Sequence, residues 1–379
     1  MANNRSIKKP RFFCDIIQYL KAIGKNGGSR VLYEGGSISR VPGDEDKVWN
    51  LNPYQQKLFN WSETSETAVK FQYYIDQEET SDGNLIQNED HQLYKLLSYT
   101  TDSSNDNTGW YAGVLNHNIK NLNINQAFYG YTGDGLHYAN QQEISEIVNC
   151  QASTNNAVPE YNGFSLWKVN NRYNQNEKSA YSVCRFSIEP EEGSFIDRTD
   201  IGALTTGIFL TPETAVDMKA SINHNYDGIN LINTAGGSTL TNAKYLGSPN
   251  WGDQPPWTLQ KVEGQDYRSV RNFARRSWQL SFAYLSQDSL FDDPTRFNSY
   301  TDDQFNEDGS EIDQYTSEQT DVSNFSTFFK LTFNGKLPFI FQPDMEVNEF
   351  ALCRLTSQPQ FRKVADNLYS TSFTVTETW

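Results

Sequence analysis

The residue types able to do chemistry are present but scattered. The histidines His91, His117, His137 and His224 show no HExxH pattern or other metal-ligand spacing, and none adjoins a Ser or Cys nucleophile motif. Cys14, Cys150, Cys184 and Cys353 lie far apart with no CxxC pair, so buried thiols are expected rather than a zinc or redox site. Gln304, Asn306, Asp308 and Gly309 imitate positions 1, 3, 5 and 6 of a calcium-binding loop, but Tyr315 occupies position 12, where a bidentate Glu is required. A looser calcium site and a plain solvated loop both stay open there. Gly24 to Ser29 lacks the Lys of a phosphate-binding loop, and Gly130, Gly133 and Gly135 lack dinucleotide-binding spacing, so both read as turns. The 47 acidic residues supply many carboxylate pairs of the kind glycosidases use, and that abundance selects none of them. The expectation is a protein with no catalytic residue, no cofactor and no metal.

Charge narrows the partners. A formal charge of −16 with pI ≈ 4.7 argues against a nucleic-acid or anionic-membrane surface, both of which need clustered Lys and Arg. Arg268, Arg271, Arg275 and Arg276 form a basic cluster, which fits a subunit contact meeting acidic loops. Arg5, Lys8, Lys9 and Arg11 make the beginning of the chain basic, yet Asp15 and Lys21 interrupt what a signal peptide needs as its apolar core. No run approaches the roughly 18 apolar residues of a membrane span, so no insertion is expected.

The elements that must position these residues read as strands. Aromatics make up 14% of the chain, and with abundant Asn, Asp and Gly they suit pleated sheets joined by tight turns. Phe13, Ile16, Ile17, Leu20 and Ile23 trace a helical stripe ending at Gly24, an N-terminal arm or helix over 1–30. Whether it packs on its own domain or exchanges between subunits is open. Val69, Phe71 and Tyr73 alternate with polar residues, and β-like runs follow at Trp110 to Leu115, Tyr181 to Ile188 and Leu204 to Leu210.

A boundary is expected after Pro212. Beyond it, Ala220 to Asn225 reads as a strand, and the three prolines Pro249, Pro255 and Pro256 mark an irregular linker. Trp278, Leu280, Phe282 and Tyr284 share one strand face. Residues 302–321 carry eight acids and no Lys or Arg, an inserted acidic loop. Asp321 would cap a helix bearing Val322, Phe325 and Phe329 that ends at Gly335. The chain closes on a strand with Tyr369, Thr371, Phe373, Val375 and Trp379 on one face.

Two stretches resemble known families. Trp110 to Asn118, Tyr181 to Ile188 and Ile201 to Gly207 resemble the galactose-binding-like jelly roll of many phage structural proteins, over roughly Val31 to Pro212. Arg276 to Phe282, Gly335 to Asp344, Phe350 to Leu355 and Asn367 to Trp379 resemble the C-terminal part of tailed-phage tail proteins, including distal-tail-like ring proteins.

The resemblance implies a mainly β fold: a jelly-roll β-sandwich over 31–212, then a β-rich (α+β) ring-forming domain over 213–379. It implies a non-enzymatic virion component at the tail end or baseplate, assembled in the host cytoplasm. Its partners would be tail tube, hub and fibres, and copies of itself in a ring, often hexameric. The expected assembly interface takes in Arg276, Trp278, Pro338, Phe339, Asp344, Arg354 and Trp379. Alternatives are a neck or head decoration protein, or a receptor-recognition module stacking host glycans on Trp110 or Trp167.

Overall fold

The computed structural model describes residues 8–24, 29–34, 47–53, 57–60, 68–74, 78–79, 85–86, 108–117, 122–132, 135–143, 146–147, 164–169, 181–190, 198–212, 214–226, 229–242, 274–286, 290, 325–347 and 349–378. The acidic loop, the proline-rich linker, Cys150, His91 and Trp379 lie outside them.

The fold is mainly β and its strand pairings are antiparallel. Strand β1 (Arg11–Asp15) runs directly into α1 (Ile16–Ala22). Next come β2 (Ser29–Glu34), a 3-10 turn at Lys47–Trp49, β3 (Lys57–Asn60), β4 (Ala68–Tyr74), β5 (Glu78–Glu79) and β6 (Leu85–Ile86). Longer strands follow: β7 (Thr108–His117), β8 (Leu122–Thr132), β9 (Gly135–Glu143), the short β10 (Glu146–Ile147), β11 (Phe164–Val169), β12 (Tyr181–Pro190) and β13 (Arg198–Leu210). The C-terminal part adds β14 (Ser221–Asn225), β15 (Asn230–Asn233), β16 (Thr239–Asn242) and β17 (Arg275–Ser286). It ends with α2 (Phe325–Leu331), β18 (Phe339–Gln342), β19 (Ala351–Leu355), β20 (Gln360–Ala365) and β21 (Leu368–Glu377).

A 12-stranded sheet dominates, in the order β10-β11-β7-β13-β1-β18-β19-β21-β17-β14, with β20 beside β21 and β3 beside β13. A second sheet has five strands in the order β2-β4-β12-β8-β9. Trp49 packs against Tyr73 of β4 and Phe186 of β12, with ring centroids 5.6 and 5.8 Å apart. These residues share one buried cluster with Trp110, Ala112 and Val114 of β7, so a common core joins the five-stranded sheet to the large one.

Strand β1 occupies the start of the expected N-terminal helical stripe. It is the seam of the large sheet, pairing Phe12 with Leu210 of β13 on one side and with Phe341 of β18 on the other. The expected division after position 212 therefore does not separate two sheets, because a single sheet runs through both parts. All five residues of β1 are buried. Successive side chains of a strand point to opposite faces. Phe12 accordingly packs with Phe328 and Phe341 at 4.7 and 5.3 Å, whereas Phe13 meets Tyr111 at 5.1 Å in a separate cluster. Only from Ile16 onward does the expected helical stripe become a helix. Gly207 of β13 permits this crossing, since a Cβ there would lie 2.0 Å from the Cys14 carbonyl oxygen.

Strand β17 buries Trp278, Leu280 and Phe282 in the expected alternation, then breaks phase. Its register against β21 shifts between Phe282 and Leu285. At this bulge Tyr284 takes φ 61 and becomes 67% exposed, and Leu285 is buried in its place. Helix α2 buries Phe325, Phe328 and Phe329 against Phe12, Phe339 and Phe373. Phe333, Asn334 and Gly335 then take positive φ, and the Thr332 hydroxyl accepts from the Gly335 N–H at 2.9 Å. A Cβ on Gly335, at φ 75, would lie 2.1 Å from Leu355 Cγ. Gly335→Ala combines left-handed strain with overpacking, so we expect a loss of about 2–4 kcal/mol in urea unfolding. A loss under about 1 kcal/mol would mean that the turn can open without disturbing Leu355.

Candidate functional site

Three polar clusters and one apolar surface are the candidate sites. The first cluster centres on Arg276 of β17, which is fully buried. Its backbone N–H donates to Glu377 Oε2 at 2.7 Å and its Nε donates to Glu377 Oε1 at 2.7 Å. A further guanidinium N–H donates to Glu349, and the guanidinium carbon lies 4.9 Å from the Trp278 ring centroid. Burial pushes the Glu377 carboxyl up to about 7, with the charge and hydrogen bonds of Arg276 opposing it. The arrangement clasps β17 to β21 and to the segment just before β19.

The second cluster lies where β1 turns into α1. Asp15 Oδ1 accepts from the Gln18 N–H at 2.8 Å, capping the helix, and Asp15 Oδ2 accepts from the Thr205 hydroxyl at 2.7 Å. The Thr205 and Tyr111 hydroxyls are 2.9 Å apart, and the Thr206 hydroxyl donates to the Tyr111 carbonyl at 2.9 Å. Burial pushes the Asp15 carboxyl up to about 6, while Thr205, the helix N–H groups and Lys21 hold it down. The folded carboxyl thus keeps its proton more tightly than the unfolded one, whose ordinary value is 3.8. Stability falls as pH rises from about 3.8 to about 6, and the full cost of ionisation is present above that window. Asp15→Asn removes this titration and keeps the capping oxygen. The stability difference between variant and wild type should therefore move in the variant's favour by about 2 kcal/mol between about pH 4 and pH 7, read by urea unfolding at each pH. A difference that stays flat across that range would show Asp15 to be ionised throughout.

The third cluster is a His–Ser pair. His117 Nε2 lies 2.7 Å from Ser165 Oγ, joining β7 to β11, and both residues are buried. Burial pushes the imidazole down to about 3, so it is neutral at physiological pH. A neutral imidazole beside a hydroxyl has the elements of a nucleophile and base. With Ser165 at 0% exposure, no substrate carbonyl reaches its oxygen in this arrangement. The pair's evident role is to fasten two strands.

Several expected contact residues are corrected by burial. Arg276, Trp278 and Phe339 are within 1% of full burial and Asp344 is 5% exposed, so all four serve the chain's own core instead of a neighbour's surface. Pro338 is half-buried and Arg354 is exposed. Trp110 and Trp167, the glycan-stacking residues of the alternative reading, are 1% and 2% exposed on the paired strands β7 and β11. Their ring faces are spent on packing and offer no platform for a sugar.

Cys14, Cys184 and Cys353 are buried free thiols, as expected. Among the described residues no group of three His, Cys, Asp or Glu side chains could hold a metal ion, and no helix is long and apolar enough to cross a membrane. Glu377 was not singled out in the sequence. Its signal is its position in the apolar phase of β21, two residues after Val375.

The apolar surface lies elsewhere. Ten large apolar residues are exposed among the described residues, and six of them fall between 218 and 240: Met218, Tyr226, Ile229, Leu231, Ile232 and Leu240. Exposed apolar residues gathered in one short stretch of chain are a candidate contact site.

These features define a mainly β, antiparallel protein whose polar clusters are internal and whose apolar exposure is concentrated beside β14. No family model, curated protein or solved structure matches the chain.

Proposed function

We propose that this chain is a non-enzymatic structural component of a tailed-phage particle, working at the tail end or baseplate as part of a ring that joins tail tube to hub or fibres. The observation that carries this reading is the set of exposed apolar residues at 218–240, set against polar clusters that, among the described residues, are largely buried. A scaffold works by shape and contact, so it needs uncovered surface and no accessible reactive group. The stretches that resemble tail proteins also support it. They supply β17, β18, β19 and β21, four neighbouring strands of the large sheet.

In this reading the part of the chain after 212 makes the contacts between copies. Among the described residues, exposed Arg354 and half-buried Pro338 are the expected interface residues still available to a neighbour. The net charge of −16 suits contact with protein and not with nucleic acid.

The test has two arms. Antibody labelling of purified particles of the encoding phage, viewed by electron microscopy, should place the chain at the tail end, and sedimentation of the purified protein should show oligomers. Absence from particles together with a monomer at about 100 µM, well above the concentrations at which stable assemblies hold, would rule the reading out. Label at the neck or head would move the same scaffold to another position.

A further inference from the structure

We infer that the β15–β16 hairpin is a self-docking element, covered in the assembled state by a second copy of this chain. The inference rests on the scaffold reading above and names the surface through which copies meet.

The hairpin has a well-made tip and unfinished sides. At the tip the Thr234 N–H donates to the Ser238 carbonyl at 2.8 Å, the Gly237 N–H donates to the Thr234 carbonyl at 3.0 Å, and Gly237 takes φ 79. The Thr234 hydroxyl bonds the Ser238 carbonyl and accepts from the Ser238 N–H, both at 3.1 Å. The turn is therefore organised in advance of any partner. Every residue of both strands is nonetheless exposed. Ile232 and Leu240 are direct cross-strand partners, which places them on one face, and Leu231 points to the other. Their exposures are 58%, 56% and 67%. A two-stranded hairpin alone in water is marginal, and apolar side chains on both faces make burial by another surface the stabilising outcome.

Charge selects the occupant. Residues 229–242 contain no Asp, Glu, Lys, Arg or His, in a chain of net charge −16. A basic partner would be drawn to acidic surface, and this segment offers none. Two copies of a strongly acidic chain repel over most of their area, so they approach at least cost where charge is missing. Interfaces between identical subunits have charge-depleted cores, and this segment shares that depletion. The strands also lack the Lys and Pro that normally guard an exposed edge against pairing.

The experiment uses the full chain in sedimentation velocity from about 1 to about 100 µM, the range that reads micromolar association. Wild type is compared with the double variant Ile232→Glu, Leu240→Glu and with Val364→Glu, an exposed apolar position on β20. The hairpin variant should need about tenfold more protein or greater to assemble, with an unchanged thermal midpoint, and Val364→Glu should behave as wild type. Hydrogen exchange at 230–233 and 239–242 should slow as wild type assembles.

Wild-type assembly that the double variant leaves intact overturns the hairpin and spares the scaffold reading. A wild type that stays monomeric across this range overturns the hairpin as a self-docking element, and its absence from particles as well overturns both readings. A double variant that self-associates normally but is missing from particles assigns the hairpin to a different virion protein and overturns the choice of a second copy.

Discussion

Glu377→Ala should cost about 3–5 kcal/mol of folding stability, because it takes from the buried Arg276 the carboxylate that meets both its backbone N–H and its Nε. Arg276 has no exposed surface, and Glu377 supplies acceptors to both its backbone N–H and its Nε. Glu349 stays bound to the guanidinium, yet its side chain is itself 21% exposed to water. Against a typical domain stability of about 5–15 kcal/mol, the loss is large enough to shift a urea midpoint visibly or to prevent accumulation of folded protein.

The sign of a second substitution separates mechanisms. Removing one partner of a buried pair is costly, whereas replacing both by apolar groups of similar volume is often close to neutral. Arg276→Met combined with Glu377→Leu should therefore be more stable than Glu377→Ala alone, with Glu349 released to solvent. If the single variant loses less than about 1 kcal/mol, water reaches the guanidinium and the clasp is not a buried one.

How much of this was legible in the sequence depends on how many faces each strand buries. β21 buries one face, so Thr371, Phe373 and Val375 announce it by alternation. Glu377 continues that phase, and Arg276 stands in phase with Trp278, Leu280 and Phe282. Opposite charges in the apolar phase of two strands signal a buried pair, and a reading that follows apolar residues alone passes over both. β1 is harder, because Phe12 and Phe13 are both buried, and a short apolar run does not distinguish a strand buried on two faces from the start of a helix.

The β17 bulge left no trace in residue type, since Tyr284 fits the alternation that the bulge breaks. The tryptophans illustrate a different limit. Trp110 and Trp167 read as core in preference to a sugar platform, and residue type alone does not decide it until β7 is seen between β11 and β13. Sheet order is set by contacts distant in sequence, and here it decided which aromatics the surface keeps. In the 218–240 region the reverse held: a strand was expected at 220–225, but only the fold shows that Leu231, Ile232 and Leu240 of the hairpin beyond it are exposed.

Phe12→Ala should be the other large effect, at about 3–5 kcal/mol, and it tests whether the chain's beginning is an arm or a seam. Phe12 meets Phe325, Phe328, Phe339, Phe341 and Phe373 with centroids between 4.7 and 6.3 Å, so truncation leaves a cavity lined by α2, β18 and β21 that rigid strands cannot fill. A detachable arm would lose only its own contact. The seam predicts more, because β13 and β18 are both held by the backbone of β1. Deleting residues 1–15 would expose the edges of two long-range pairings at once, and unpaired edges of this kind recruit other chains. The expected result is aggregation on expression, with Phe12→Ala soluble but unfolding at lower urea. A soluble deletion variant that unfolds cooperatively at the wild-type midpoint would restore the arm and divide the sheet where β1 now joins it.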